Sequence, residues 1–491
     1  MTDTPTETVD RSEIRKEESR VEERSAVFRK ELGLTDLVLT QIVFVVGTIW
    51  VGTAAKLGDH QLFFWLLAIV TFYLPLAAVV IQLNRLMPLE GGLYQWAKLG
   101  FNEFVGFMVA WNLWVFAIFV MSGIGLTIVT NLSYALGPGA RWMATSKPFV
   151  TLFSCALVGI LVAASTRGLA VGKWVHNAGG VLLLLTFLAL IGLPFVALLT
   201  GRIPTYHPIV FKLPSFSAEP GVLTNHLNIF SKLALGALTG FEYIAILAGE
   251  CRTPARNIGR SVIIAAPIIA IMFILGTSSV LAYFRPDQVD LIGPIAQVLS
   301  RGFGQFGAVA SSVVSLVILA LIGRLVALMS IYLTANARLP MVAGWDGLLP
   351  AWFTRLHERH RTPFNSILFV GATALAFGLL GILGVGMQEA FQLLDNAAGI
   401  FYASTYVVLF AIPLFAAERI GLKAPLWLRL ASASGALVSL LYIGFTIVPI
   451  VEVENRLAFA AKLVGVAVSL NLLGVLLYSA GRRRQARSAG V

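Results

Sequence analysis

Apolar runs of about 20 residues, set apart by short polar connections, recur along almost the whole chain. That length is what a helix needs to cross a hydrocarbon core. Taken in order they predict about twelve spans, near residues 36–56, 61–84, 103–132, 149–166, 174–200, 231–250, 260–284, 306–336, 364–383, 387–415, 426–448 and 457–480. Two of these runs are interrupted. In the sixth, Thr239-Gly240-Phe241-Glu242 puts a helix-weakening glycine beside an acid. A carboxylate at bilayer depth costs about 2.5–3.5 kcal/mol on insertion scales, so it is kept inside a bundle or beside a water-filled cavity. The plainer account is a glycine at a tight helix crossing beside a satisfied Glu. In the first run Gly47 and Gly52 bracket the middle, and that span is expected to break as well.

The two interrupted runs each stand first in a block of five. Five is odd, so the second block enters the membrane in the opposite orientation, which is the arrangement of an inverted-repeat secondary transporter. The predicted fold is therefore all-α and integral to the membrane: a 5+5 inverted repeat with discontinuous helices one and six, followed by two C-terminal helices. The expected divisions are a tail over 1–30, a first repeat over 31–200, an outer loop over 201–230, a second repeat over 231–415 and the last two helices with a basic tail over 416–491. Unwound segments free backbone N–H and C=O groups, and half-helix ends add partial charges of both signs. One site of that kind can hold an ammonium and a carboxylate together. The substrate-binding candidates are Gly47, Thr48, Trp50 and Gly52 in span one and Thr239, Gly240, Phe241 and Glu242 in span six.

Composition agrees: of 491 residues, 57% are apolar and 12% charged, which excludes a water-soluble domain. The formal charge of +11 is spread over the short connections, so it reads as a topology signal and not as a nucleic-acid surface. With the N-terminus inside, about 25 of the 36 basic residues fall on the inner side. Both termini are then cytoplasmic, in the inner (plasma) membrane of the cell, with the lipid bilayer as surroundings. Residues 1–30 are charged and poor in large apolar side chains, as in a disordered tail. Residues 201–230 carry Pro204, Pro208, Pro214 and Pro220 and read as a surface loop or lid. Residues 337–363, with Trp345, Trp352 and Phe353, read either as an amphipathic helix on the inner face or as a packed loop. Two cysteines supply neither a disulfide framework nor a thiolate metal site. His357-Glu358-Arg359-His360 lacks zinc-protease spacing. No cofactor and no metal are expected.

Four stretches carry a family resemblance. Gly240-Phe-Glu through Arg260 reads as a Gly-Phe-Glu core followed by Glu250, Arg252, Pro254, Arg256 and Asn257; Pro88-Leu-Glu-Gly-Gly-Leu-Tyr94 follows span two; Arg338 precedes Asp346-Gly-Leu-Leu-Pro350, with Thr362-Pro363 closing that loop; and Glu31-Leu-Gly-Leu-Thr-Asp-Leu37 leads into span one. Together they resemble the amino acid, polyamine and organocation transporter superfamily over residues of about 30 to 415. The resemblance implies a proton- or sodium-coupled symporter or exchanger of a small molecule, not an enzyme. Two departures stand out. The glycine cluster by which relatives bind an α-carboxylate is missing, since Trp50 and Val51 lie between Gly47 and Gly52. Span five also lacks the mid-membrane lysine that replaces a sodium ion in some relatives.

Arg324 lies midway along span eight, too deep to snorkel easily. Asp395 and Asn396 in span ten are the expected partners, with Glu242 a third. In relatives spans one and eight flank a sodium site, so Arg324 is a candidate for a fixed charge that makes transport sodium-independent. Its rivals are a receiver for an anionic substrate group and a structural pair with Asp395. Glu242 is the candidate for proton coupling, because burial brings carboxyl protonation within reach of the working pH, and Glu242, Arg324 and Asp395 form the coupling and gating set. Trp111, Asn112 and Trp114 in span three are further pocket candidates or bundle packing. The reading that results is a secondary transporter of an amino acid or related amine, with H+ as coupling ion. The alternatives are a polyamine or organocation transporter and a nutrient sensor on a transporter fold; a membrane enzyme has no supporting motif.

Overall fold

The structure is a computed structural model and describes residues 16, 19–20, 23, 30–89, 91–167, 169–214, 220–246, 248–360, 362–382, 386–450, 453 and 455–488. The expected tail over 1–30 lies mostly outside the described residues. Among the described residues each of the twelve apolar runs contains helix. Among the described residues nine helices are long and apolar enough to cross a membrane, and span one qualifies as a bent pair, Leu34–Val45 and Thr48–Ala55, with a 45° change of direction. Span nine contributes the shorter apolar helix Phe364–Leu379. Span six consists of pieces: Pro220–Ser231, a π-helical turn Lys232–Ala237, an irregular stretch, and Tyr243–Ile246. Pro220 at the first position suits a helix start, because its missing N–H is unpaired there anyway, so span six begins earlier than its apolar run.

Span three (Glu103–Leu136) runs through the middle, with 94% of its most apolar window buried, whereas span twelve (Arg456–Arg487) has 11% buried and lies outermost. Spans five (Leu169–Leu199) and eight (Ala308–Trp345) pack along each other and enclose span one. Span ten (Met387–Ala411) packs against spans three and eleven. The repeat extends to the connections. A short helix, Leu93–Gly100, follows span two, and its counterpart Pro294–Gly304 follows span seven. Gly52 belongs to this packing: a Cβ there would come within 2.8 Å of Pro294, so span one lies directly on the second of these helices.

Of the two readings of residues 337–363, the amphipathic helix on the inner face is not adopted. Span eight continues to Trp345 with Leu339, Met341 and Ala343 buried, Pro350 follows its end, and among the described residues the rest of the stretch is irregular apart from short turns such as Ala351–Thr354. Residues 201–214 are irregular and lie across spans two and seven, through Ser278 Oγ to the Pro208 carbonyl (2.5 Å) and Lys212 to Asp59 (3.3 Å).

The face where residue 31 enters the bundle is closed by a polar latch. Glu31 N and Leu32 N donate to the Glu250 carbonyl at 3.0 and 3.1 Å, and Arg252 N returns to Leu32 O at 2.9 Å. The Glu250 carboxylate accepts a hydrogen bond from buried Arg338. Asp346 accepts from Tyr94 Oη and from Lys98 Nζ, the latter at 2.8 Å. Gly92, at φ +41°, passes so close to Ala245 that a Cβ would meet its backbone at 2.9 Å. The stretches that carry the family resemblance thus meet on one face.

Two outcomes follow. Gly240 has φ +113°, and a Cβ there would fall 2.2 Å from the Phe44 ring, so Gly240→Ala is expected to lose about 1–3 kcal/mol from backbone strain alone, read as a lower unfolding temperature in detergent. Arg338→Ala leaves Glu250 buried and unpaired and is expected to cost about 3–5 kcal/mol; the double variant with Glu250→Ala should recover part of that loss in the same thermal assay.

Candidate functional site: the cavity between the two breaks

At Val46 the backbone leaves helical geometry (ψ 82°), and Gly47 N turns back to Val45 O at 2.8 Å before the chain re-enters a helix at Thr48. The first half-helix ends there with carbonyls free, and the second begins with N–H groups that have no partner one turn earlier. The break in span six lies alongside. Phe44 packs over Gly240, with ring centroids 4.4 Å from Tyr243 and 4.7 Å from Tyr332. Between the two breaks lies a cavity of about 140 Å³.

Gly47, Thr48, Trp50, Thr239, Arg324 and Asp395 line this cavity. The other sequence candidates do not. Gly52 faces Pro294 on the far side of span one. Phe241 is buried against Tyr73, ring centroids 5.4 Å apart. Gly240 and Glu242 stand behind the wall: Glu242 Oε2 accepts from Gly240 N at 3.1 Å, and its Oε1 accepts from the hydroxyls of Tyr402 and Tyr406. Tyr402 itself lines the cavity and stacks on Phe116 at 3.8 Å, so Glu242 reaches the cavity through one tyrosine.

Arg324 is only 1% exposed. Its guanidinium donates to Val43 O at 2.7 Å and to Val46 O, the carbonyls released where span one breaks. The expected partners Asp395, Asn396 and Glu242 are therefore corrected to backbone carbonyls. A cation at the C-terminal end of a half-helix also meets the negative end of its dipole. Asn396 is engaged elsewhere, by Lys232 Nζ at 2.6 Å and through its own amide to Thr446 O at 2.8 Å. Lys232 is 1% exposed and sits 5.7 Å over the Tyr442 ring.

Trp50 divides the site from the opposite face of the bundle. Its indole covers Gly236, where a Cβ would come within 2.3 Å of the ring. Beyond it, Trp50, Lys232 and Asp395 line a second hollow of about 20 Å³. Trp111 and Trp114 do not reach the central cavity; they line a separate apolar one with span twelve, and Asn112 donates to Asn471 Oδ1 at 3.0 Å.

Several residues in or beside the cavity escaped the sequence reading: Lys232, Tyr332, Tyr402 and Tyr406. A signal existed for the last two. Asp395, Gly399, Tyr402 and Tyr406 recur at three- and four-residue spacing in span ten, which puts them on one helix face. Lys232 carried a signal too, as a cation inside an apolar run. His357 and His360 lie with ring centroids 4.9 Å apart at a tilt of 38°, and His357 Nδ1 accepts from the backbone N–H of Arg359 and His360.

The sequence profile of the amino acid permease family matches residues 32–468. The aspartate/glutamate permease AcaP of Lactococcus lactis is 25% identical over 475 residues, covering 90% of this chain and 93% of that protein. The probable agmatine/putrescine antiporter AguD of Lactococcus lactis is 23% identical over 350 residues, covering 70% and 71%. The branched-chain amino acid permease BcaP of Bacillus subtilis is 22% identical over 400 residues, covering 75% and 80%. Among solved structures, the crystal structure of MhsT in complex with L-phenylalanine superposes with a TM-score of 0.62 at 15% identity, covering 85% of this chain and 98% of that one. With many apolar helices, two of its spans broken around a central cavity, and a profile match over nearly its whole length, the chain belongs to the amino acid permease family of membrane transporters.

Proposed function

We propose that this transporter moves a zwitterionic amino acid across the plasma membrane by alternating access, coupled to protons and independent of sodium, with both termini in the cytoplasm. The observation that carries this reading is the Arg324 guanidinium on the carbonyls of Val43 and Val46. Carbonyls freed at a half-helix C-terminus are where transporters of this architecture hold a coupling cation. A tethered guanidinium satisfies the same groups permanently.

The cavity has one charge of each sign, Arg324 and Asp395. The N-terminal end of Thr48–Ala55 adds partial positive charge. A substrate carboxylate near Arg324 and Thr48, with its ammonium toward Asp395, fits that polarity. A second reading, an anionic amino acid, is favoured by Arg324 Nε, which is buried without a hydrogen-bond partner, and by the name of AcaP. A polyamine is favoured by Asp395 and by the name of AguD. It is opposed by the cation in the wall.

Glu242 is the proposed proton carrier. Three donors converge on its two oxygens, an arrangement suited to the carboxylate. A proton on Oε2 opposes the N–H of Gly240, whereas one on Oε1 can be donated to the oxygen of Tyr402 or Tyr406, whose own hydroxyl then turns away. Protonation therefore either loosens the break in span six or re-aims a tyrosine hydroxyl, Tyr402 being the one in the cavity wall. That links proton uptake to the shape of the site.

Uptake into proteoliposomes in sodium and in choline media tests the first part. The wild type should be indifferent to sodium, and Arg324→Ala, losing charge-assisted bonds worth about 1.5–3 kcal/mol each, should lose most activity in choline. A sodium requirement in the wild type would sink the idea. For the proton, Glu242→Gln should abolish the dependence of uptake on a pH gradient while leaving substrate exchange measurable; an unchanged pH dependence contradicts the role. A thermal-shift screen against amino acids, amines and organic acids identifies the substrate class, because a ligand of the folded state raises its apparent stability.

A further inference from the structure

A larger cavity, of about 440 Å³, lies away from the broken helices, among spans three, eight, nine and twelve toward the face that carries the N-terminal segment. Trp111, Val115, Leu349, Phe353, Leu473 and Leu477 are among its walls. Of its polar side chains, Arg484 sits at the rim, Thr373 and Trp111 are engaged, and Trp114 Nε1 alone is buried without a hydrogen-bond partner. Thr373 Oγ1 donates to Phe369 O at 2.7 Å within its own helix, and Trp111 Nε1 donates to Leu470 O at 2.9 Å. An amino acid or amine placed there would lose its hydration for a single indole N–H in return. A hydrocarbon chain would not.

Two observations point to where such a chain comes from. Span twelve, which forms the outer wall, is the least buried of the spans, and among the described residues spans nine and twelve barely touch, so the cavity adjoins the hydrocarbon of the bilayer. At its rim stands Arg484, exposed and without an ion pair among the described residues, next to Arg483 and one turn from Arg487. Arg482, by contrast, is already held by Glu103 at 3.1 Å.

We propose that this cavity is a binding site for one acyl chain of an anionic phospholipid, whose headgroup phosphate pairs with Arg484. Guanidinium binds phosphate oxygens through paired N–H donors, and juxtamembrane basic residues attract anionic lipid by about 1 kcal/mol each. A lipid seated there would pack span twelve against spans three and nine and fill a void that otherwise forgoes dispersion contacts.

The test uses the full-length protein in detergent, washed free of co-purified lipid, then given phosphatidylglycerol or phosphatidylcholine of matched chains and examined by native mass spectrometry. The wild type should retain phosphatidylglycerol in preference to phosphatidylcholine. Arg484→Gln should lower that preference about fivefold, the effect of one basic residue at an anionic surface. Leu473→Trp, at a half-exposed wall position, should lower retention of both lipids by filling the cavity. Equal retention of the two lipids by the wild type, or retention unchanged in both variants, overturns the proposal. So does a lipid-free dimer, which would assign this face to a second copy of the chain. Substrate uptake by both variants checks that they are folded.

Discussion

Hydrocarbon offers no water to a backbone N–H or C=O, so each such group at bilayer depth must find its partner within the protein. Two places in this fold strain that demand: the breaks of spans one and six. Each is met by an ionisable side chain. Arg324 of span eight takes the carbonyls of Val43 and Val46, and Glu242 takes the N–H of Gly240. Both side chains are thereby committed to backbone. Glu242 is further bound to Tyr402 and Tyr406 of span ten, so the two breaks are anchored to the two helices that complete the cavity.

The cavity lies between two closures of different kind. Toward the N-terminal segment, the closure is a network of charge-assisted bonds: Glu250 with Arg338, and Asp346 with Tyr94 and Lys98. Toward the other face it is an indole, Trp50 on Gly236, backed by the single bond of Lys232 to Asn396. Networks of buried charge-assisted bonds are costly to open one partner at a time, whereas an aromatic lid on glycine moves by rotation about its side-chain bonds. The short helices Leu93–Gly100 and Pro294–Gly304 brace the two ends in corresponding positions of the repeat.

Much of the architecture was legible in the sequence. The twelve apolar runs follow from length and hydropathy, and the inverted repeat follows from two glycine-interrupted runs five spans apart. The break in span six fell where Gly240 required it, since only glycine reaches φ +113° beside Phe44 without strain. Gly52 shows the limit. In sequence it is equivalent to Gly47, yet it lies within a regular helix and serves contact with Pro294. A glycine permits either use, and its neighbours in space decide which. Of the two readings of the stretch after span eight, the amphipathic helix gave way for a related reason, because the bundle claimed its first apolar residues as an extension of the span.

The chain alone determined that this protein crosses a membrane many times, that spans one and six break, and that charges at positions 242, 324 and 395 lie inside, because these depend on residue type and spacing. Tertiary structure decided what those charges touch. Arg324 turned to carbonyls and not to Asp395, Lys232 took Asn396, and Glu242 reached the cavity through Tyr402. A hydrogen bond depends on distances of a few tenths of an ångström between side chains remote in sequence, and only the packed bundle fixes them.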